Sequence, residues 1–289
     1  MTGWRSGVRR LSQALVMSVL ACAALGCEDV GEKSATLARG HVALLATAAK
    51  EDVQQVRRGL PEGGKHLVEL FQAAFPELPA PETARKALKR TRDQVPDLGV
   101  AKSTFFAVTA PDGRVLRADT ATDDLAEKNI FAAFPELAQI ATKPYVETRG
   151  TMPEAAGVRG RPDAQWVAAV PVTVGADVRG AYVTGWSWSA YAYRLETALR
   201  SAVMAETPEG AKIPLLYVYV LVGDAAFGAP VAPVVSGRVI SEKRPLGRIV
   251  GDQVWSSPLE IEGRSFGVAV QRVSELGPDV AIAALRSET

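Results

Sequence analysis

Cysteine and histidine are almost missing from this 289-residue chain, which holds two of each: Cys22 and Cys27, His41 and His66. Both cysteines fall in the first 27 residues, so the remainder can form no disulfide and no cysteine-held metal site. Two histidines remove most zinc sites and most imidazole acid–base schemes. Excess charge is missing too. The 33 Lys plus Arg nearly cancel the 32 Asp plus Glu, which leaves no basic footprint for nucleic acid. No polybasic stretch follows the N-terminal segment to favour anionic lipid. There is no Gly-x-Gly-x-x-Gly after a strand and no Gly-Lys-Ser/Thr loop, so both usual phosphate cradles are absent.

Catalytic constellations are equally thin. The nearest thing to a nucleophile elbow is Gly185-Trp186-Ser187-Trp188-Ser189, but Ser189 stands where the tight strand-to-helix bend needs glycine. No histidine follows His66, so a triad would have to draw on the N-terminal helices. His41 lies on an apolar helix stripe and reads as a packed residue, and His66 as solvated. Asp119, Asp123 and Asp124 could hold a hard cation, yet their spacing fits no calcium loop. Asp123 reads more simply as the cap of a following helix. The expectation is a chain that is not an enzyme, with no cofactor and no metal.

What is present begins with an export signal. Arg5, Arg9 and Arg10 precede an apolar run from Ala14 to Leu25 that is too short to span a bilayer permanently. The run ends Ala23-Ala24-Leu25-Gly26-Cys27 and turns polar at Glu28 and Asp29. This resembles the lipobox of bacterial lipoproteins, which implies cleavage after residue 26 and acylation of Cys27. Ala24 departs from the commoner Leu, and Val19-Leu20-Ala21-Cys22 is a competing match. Cys27 is preferred because the polar chain starts directly after it. A single acyl chain anchors only reversibly, and the several chains of a lipoprotein hold firmly. Glu28 and Asp29 lean towards inner-membrane retention, with the choice of membrane left open.

Apolar residues at helical spacing from Lys33 to Arg58 predict a long helix ending at Gly59-Leu60-Pro61. Further helices are expected at about 65–74 and 82–95, the latter with a basic, solvated face. After Gly99 the period becomes strand-like. Phe105–Val108 and Arg114–Leu116 flank an Ala-Pro-Asp-Gly turn. Residues 122–142 read as helix and loop, and 150–164 as a Gly/Pro-rich loop. Strands at 166–174 and 179–187 follow, then a helix at 191–204. Paired across Gly175–Val178, the two strands would put Trp166, Ala168, Val170 and Val172 on the face opposite Tyr182, Thr184 and Trp186. Neither face is charged, so the sheet should be covered on both sides. Strands at 215–222, 259–261, 266–268 and 280–285 roughly repeat the order. The fold class is α+β: a long N-terminal helix, then two antiparallel-sheet units, each with helices to one side.

This order resembles the extracytoplasmic tandem Cache (PAS-like) sensor domains. The resemblance rests on Phe105–Leu116 with its Asp-Gly turn and on the hairpin of Trp166–Val174 with Tyr182–Ser187. It implies a helical region at 27–99, a first, membrane-distal unit at 100–205 and a second, membrane-proximal unit at 206–289. Such sensors continue into a membrane helix and an output domain, whereas this chain stops at Thr289. The implied role is therefore sensing or binding a small organic ligand and signalling through a membrane or envelope partner. The mixture of aromatic walls and hydroxyls on Tyr182, Thr184 and Trp186 makes that sheet face the expected ligand site. Arg117, Asp119 and Tyr145 are expected in its cover. The alternative is a structural or assembly lipoprotein of the cell envelope that docks a partner without a ligand, with the aromatics as packing.

Overall fold

The computed structural model describes residues 30–75, 77–152 and 162–288. Cys22 and Cys27, the whole export signal, and residues 153–161 of the expected loop lie outside the described residues.

Helix α1 (Val30–His66) comprises 37 residues, a rod of about 55 Å. Val42, Ala46, Ala49, Val53, Val56 and Leu60 recur every three or four residues on it and are at most 1% exposed. The helix does not stop at Gly59-Leu60-Pro61 as its sequence suggests. It continues through Pro61, although an interior proline costs about 3 kcal/mol. Packing offsets that cost, because Leu60, Gly63 and Gly64 all lie in the core. A Cβ on Gly63 would stand 2.6 Å from the Tyr182 ring, so glycine there is what lets the helix touch the first sheet. Further up the rod, a Cβ on Gly267 would collide with the backbone of Ser34 and Ala35. The same rod thereby sits directly on the second sheet.

Three short helices follow: α2 (Val68–Ala74), α3 (Pro81–Gln94) and α4 (Pro96–Val100). The last two start on proline, whose missing N–H costs nothing at a first helical position. The first unit then runs β1 (Phe105–Thr109), β2 (Val115–Ala118), a single turn α5 (Ile130–Ala133), β3 (Val146–Met152), β4 (Asp163–Val174) and β5 (Asp177–Ser187). Helix α6 (Trp188–Glu206) leads out of it. The second unit runs β6 (Leu215–Val222), β7 (Ala225–Gly228), α7 (Val234–Glu242), β8 (Val254–Ile261), β9 (Arg264–Arg272) and β10 (Val280–Ser287).

The sheets have strand orders β2-β1-β5-β4-β3 and β7-β6-β10-β9-β8, antiparallel throughout. Counted within each unit, both read 2-1-5-4-3. Strands β3 and β7 went unread in the sequence. Both are edge strands, and neither Val-Glu-Thr-Arg-Gly-Thr-Met nor Ala-Ala-Phe-Gly carries a strong strand pattern.

Helices lie on both faces of each sheet rather than on one. Towards α1, both sheets share a continuous core that includes Trp166, Tyr182, Val218 and Ile282. On its far side the first sheet is closed by Ile130, Phe134 and Leu137, and the second by Ile240 of α7.

One face assignment changes. Val172 pairs with Gly180 but Thr173 pairs with Val178, so Arg179 is one extra residue in β5. A one-residue slip exchanges the faces of a strand. Trp166, Ala168 and Val170 therefore share the α1-facing side with Trp186, Thr184 and Tyr182 instead of opposing them.

Candidate functional site

Tyr182, Thr184 and Trp186 are fully buried on the side of the first sheet that faces α1. Trp186 stacks between Trp166 (4.3 Å between centroids) and Tyr191 (4.8 Å). The Thr184 hydroxyl donates to the Phe105 carbonyl at 2.7 Å. Tyr191 continues the stack to α1, its hydroxyl donating to Asp52 at 2.8 Å, and Lys102 donates to the same carboxylate at 2.8 Å. Two polar atoms of the face, the Tyr182 hydroxyl and Trp186 Nε1, are buried without a hydrogen-bond partner. This face is a tightly packed contact with the rod.

Arg117 and Asp119 lie at the β2 edge. Asp119 accepts from the Phe106 amide at 2.7 Å and from Arg92 at 3.1 Å. Burial raises the Asp119 pKa above the usual carboxylate value, partly offset by the Phe106 amide and Arg92. Burial, then the Asp119 charge, pushes the Tyr182 phenol up. Arg117 pairs with Asp123 at 2.9 Å and Glu82 at 3.6 Å. Asp123 does not cap a helix. It sits in a left-handed turn (φ 48°) and accepts from the Ala118 amide at 2.7 Å, and Asn129 caps α5 instead. Ser187, centre of the elbow-like sequence, is the cap of α6, its hydroxyl accepting from Ala190 at 3.2 Å.

Tyr145 stands at the opposite edge, next to β3. Four strand spacings, about 19 Å, separate the β2 and β3 edges. The structure brings Tyr182 and Asp119 together and places Arg117 beside them at the β2 edge. It does not bring Tyr145 into that group.

Tyr145 belongs to a different feature, a polar cleft of about 550 Å³ lined by Arg57, Glu136, Gln139, Lys143, Tyr145 and Glu147 among others. Arg57 of α1 grips Glu147 with two bonds, 3.1 Å to Oε2 and 2.5 Å to Oε1. Its Nη2 also donates to the Glu275 carbonyl, in the turn between β9 and β10, at 3.0 Å. The Tyr145 hydroxyl donates to Glu147 at 3.0 Å, and burial, then Glu147, raises its pKa. Lys143 reaches Gln139 at 2.6 Å. Arg149 pairs with Asp279 at 2.7 Å, an ionic tie between the two units. Two cations, two carboxylates, an amide and a phenol around one cleft suit a small ligand carrying both charges. Arg57 carried no sequence signal, since it is one of several charged residues on a long helix and its partners lie 90 and 218 positions away.

Among the described residues no group of three His, Cys, Asp or Glu could hold a metal ion, and no helix is long and apolar enough to cross a membrane.

The sequence matches no protein-family model and no curated protein. Solved structures share the fold at low identity. A domain of a Vibrio parahaemolyticus protein assigned to the sensory box/GGDEF family is 12% identical, with a TM-score of 0.56 over 90% of this chain and 98% of that one. The extracellular domain of a protein assigned as a histidine kinase is 12% identical, with a TM-score of 0.60 over 90% and 93%. "Methyl-accepting Chemotaxis protein X" is 17% identical, with a TM-score of 0.51 over 88% and 97%. The long helix and the two five-stranded antiparallel sheets thus have the PAS/Cache-like fold of these domains.

Proposed function

We propose that this chain is a non-catalytic, extracytoplasmic ligand-sensing module, held at a membrane by a lipid on Cys27 and acting through a partner protein. The observation that carries the reading is the same 2-1-5-4-3 strand order in two sheets mounted on one helix. Neighbours described as sensory or extracellular domains support it. The ligand site is the polar cleft. A ligand carboxylate would compete with Glu147 for the Arg57 guanidinium, and a ligand ammonium would meet Glu136 or Glu147. Because Arg57 also holds the Glu275 carbonyl, occupancy of the cleft bears on how the first unit grips the second.

The test is thermal unfolding of the full chain against a panel of small zwitterions, chiefly amino acids. A binder present at 100 times its dissociation constant adds about 2.7 kcal/mol of stability. Arg57→Met keeps the stem and removes the guanidinium, so the ligand-induced shift should vanish. A full shift in that variant would exclude the cleft. No shift with any compound would favour the second reading, a module that docks a partner without a ligand. That reading draws on the closed packing of the aromatic face and on the internal pairing of the cleft's Arg57 and Lys143.

A further inference from the structure

We infer that the outer edge of β7 is a docking site for an extended peptide segment of a partner protein, added as a further strand to the second sheet. Val222 and Ala225 close a two-residue turn that starts on Gly223, whose φ is 57°. The pair closing such a turn exchanges both of its hydrogen bonds, and the residue after it turns its polar groups outward. The N–H and C=O of Ala226 and Gly228 therefore point away from β6. Strand β7 has no second neighbour in its sheet, and no described residue bonds to that outward row.

The other sheet edges are covered or defended. On β2 the chain that follows takes the outward groups: Val115 donates to the Lys128 carbonyl and accepts from the Glu127 amide, and the Ala118 amide donates to Asp123. Edge β3 carries Glu147 and Arg149, which are tied to Arg57 and Asp279. Edge β8 holds Pro258 in its interior. Charges and prolines are what keep foreign strands off an edge. Ala225-Ala226-Phe227-Gly228 has neither.

The surroundings of β7 select the occupant. Its residues Ala226, Phe227 and Gly228 line a recess of about 300 Å³, together with Pro162 and Ala164 of the first unit and Ser189 in the first turn of α6. With Ala164, Ser189, Ala226 and Gly228 in the lining, little side-chain bulk stands over the β7 main chain. Ser189 is 8% exposed and its hydroxyl has no described partner, so it offers an arriving main chain one more bond. A single extended chain lies about 4.8 Å from the strand it joins. A second copy of this chain would bring a sheet with layers packed about 10 Å away on its faces, too thick for a recess walled by the other unit. A lone peptide fits, held by main-chain hydrogen bonds and touching both units. The inference does not depend on the cleft at Arg57, which is lined by different residues.

The test is calorimetric titration of the full chain with the peptide acetyl-Thr-Val-Thr-Val-Thr-Lys-amide, whose residues favour the extended state. It should bind one to one. A copy N-methylated at its three central amides cannot donate from either edge and should bind at least about tenfold more weakly. Ala226→Pro removes an outward N–H at an edge position that tolerates proline, and should weaken binding about tenfold with circular dichroism unchanged. A peptide carrying a benzophenone at its centre should crosslink to β7 or to the start of α6, which locates the site with no substitution in the chain. Absence of binding, equal affinity of the N-methylated copy, crosslinks elsewhere, or undiminished binding by a folded Ala226→Pro variant would overturn the proposal. A dimer of the chain that Ala226→Pro dissolves would give the edge to a second copy and overturn it equally.

Discussion

Trp186 lies stacked on Trp166, its directly opposed partner across the β4–β5 pair, with ring planes 20° apart. Even counting back from the Gly175 turn would put these rings on opposite faces. The extra residue Arg179 brings them to the same one, and Tyr191 completes a three-ring column ending on Asp52 of α1. The aromatic concentration of residues 186–191 thereby fastens the first sheet to the rod.

Trp186→Ala should destabilise the protein by about 3–5 kcal/mol, because a fully buried indole leaves a cavity between two rings. Trp186→Phe should cost much less. Urea denaturation midpoints measure both. A loss under 1 kcal/mol for the alanine variant would mean the column carries little of the contact.

Asp52 is 2% exposed and serves both Tyr191 and Lys102. Asp52→Asn should cost about 2–3 kcal/mol, since two charge-assisted bonds weaken in a site closed to water. Tyr191→Phe removes one hydroxyl, leaves the Lys102 pair, and should cost about 1 kcal/mol. The same urea titrations rank the two variants, and the reverse order would refute this assignment.

His41 should make stability fall in mild acid. Burial is the largest cause lowering its pKa, followed by Arg286, whose Nη1 lies 3.4 Å from Nε2; Glu206 and Glu288 oppose both. A lowered folded pKa means the unfolded chain takes up the proton first. His41 is neutral in both states above the ordinary value of 6.5, and its contribution is lost as pH drops below that. His41→Gln should flatten this part of the profile of unfolding free energy from pH 7.5 to 5. An unchanged slope would assign it to other groups.

Cys27→Ser should release the protein from the membrane fraction and end uptake of labelled fatty acid. Persistence of label in that variant would move the lipid to Cys22.

The repeated α+β organisation was legible in the sequence because it is local. Apolar residues at helical spacing built α1, and the Asp-Gly and Glu-Gly turns fixed the hairpins at 110–113 and 262–263 whatever surrounded them. Three things were not legible. Helix α1 runs through Pro61 because Gly63 and Gly64 press on Tyr182 and Val170, residues more than 100 positions away. The face shared by Trp166, Tyr182 and Trp186 hung on one inserted residue, Arg179, and no hydrophobic pattern reveals a one-residue slip when both faces are apolar. The polar cleft hung on Arg57 meeting Glu147 and Glu275, pairs that exist only once the rod lies against both sheets. Periodicity and turn chemistry are properties of neighbouring residues and so belong to the sequence. Register, helix approach and long-range charge pairing depend on which distant surfaces fit together, and tertiary packing alone decided them.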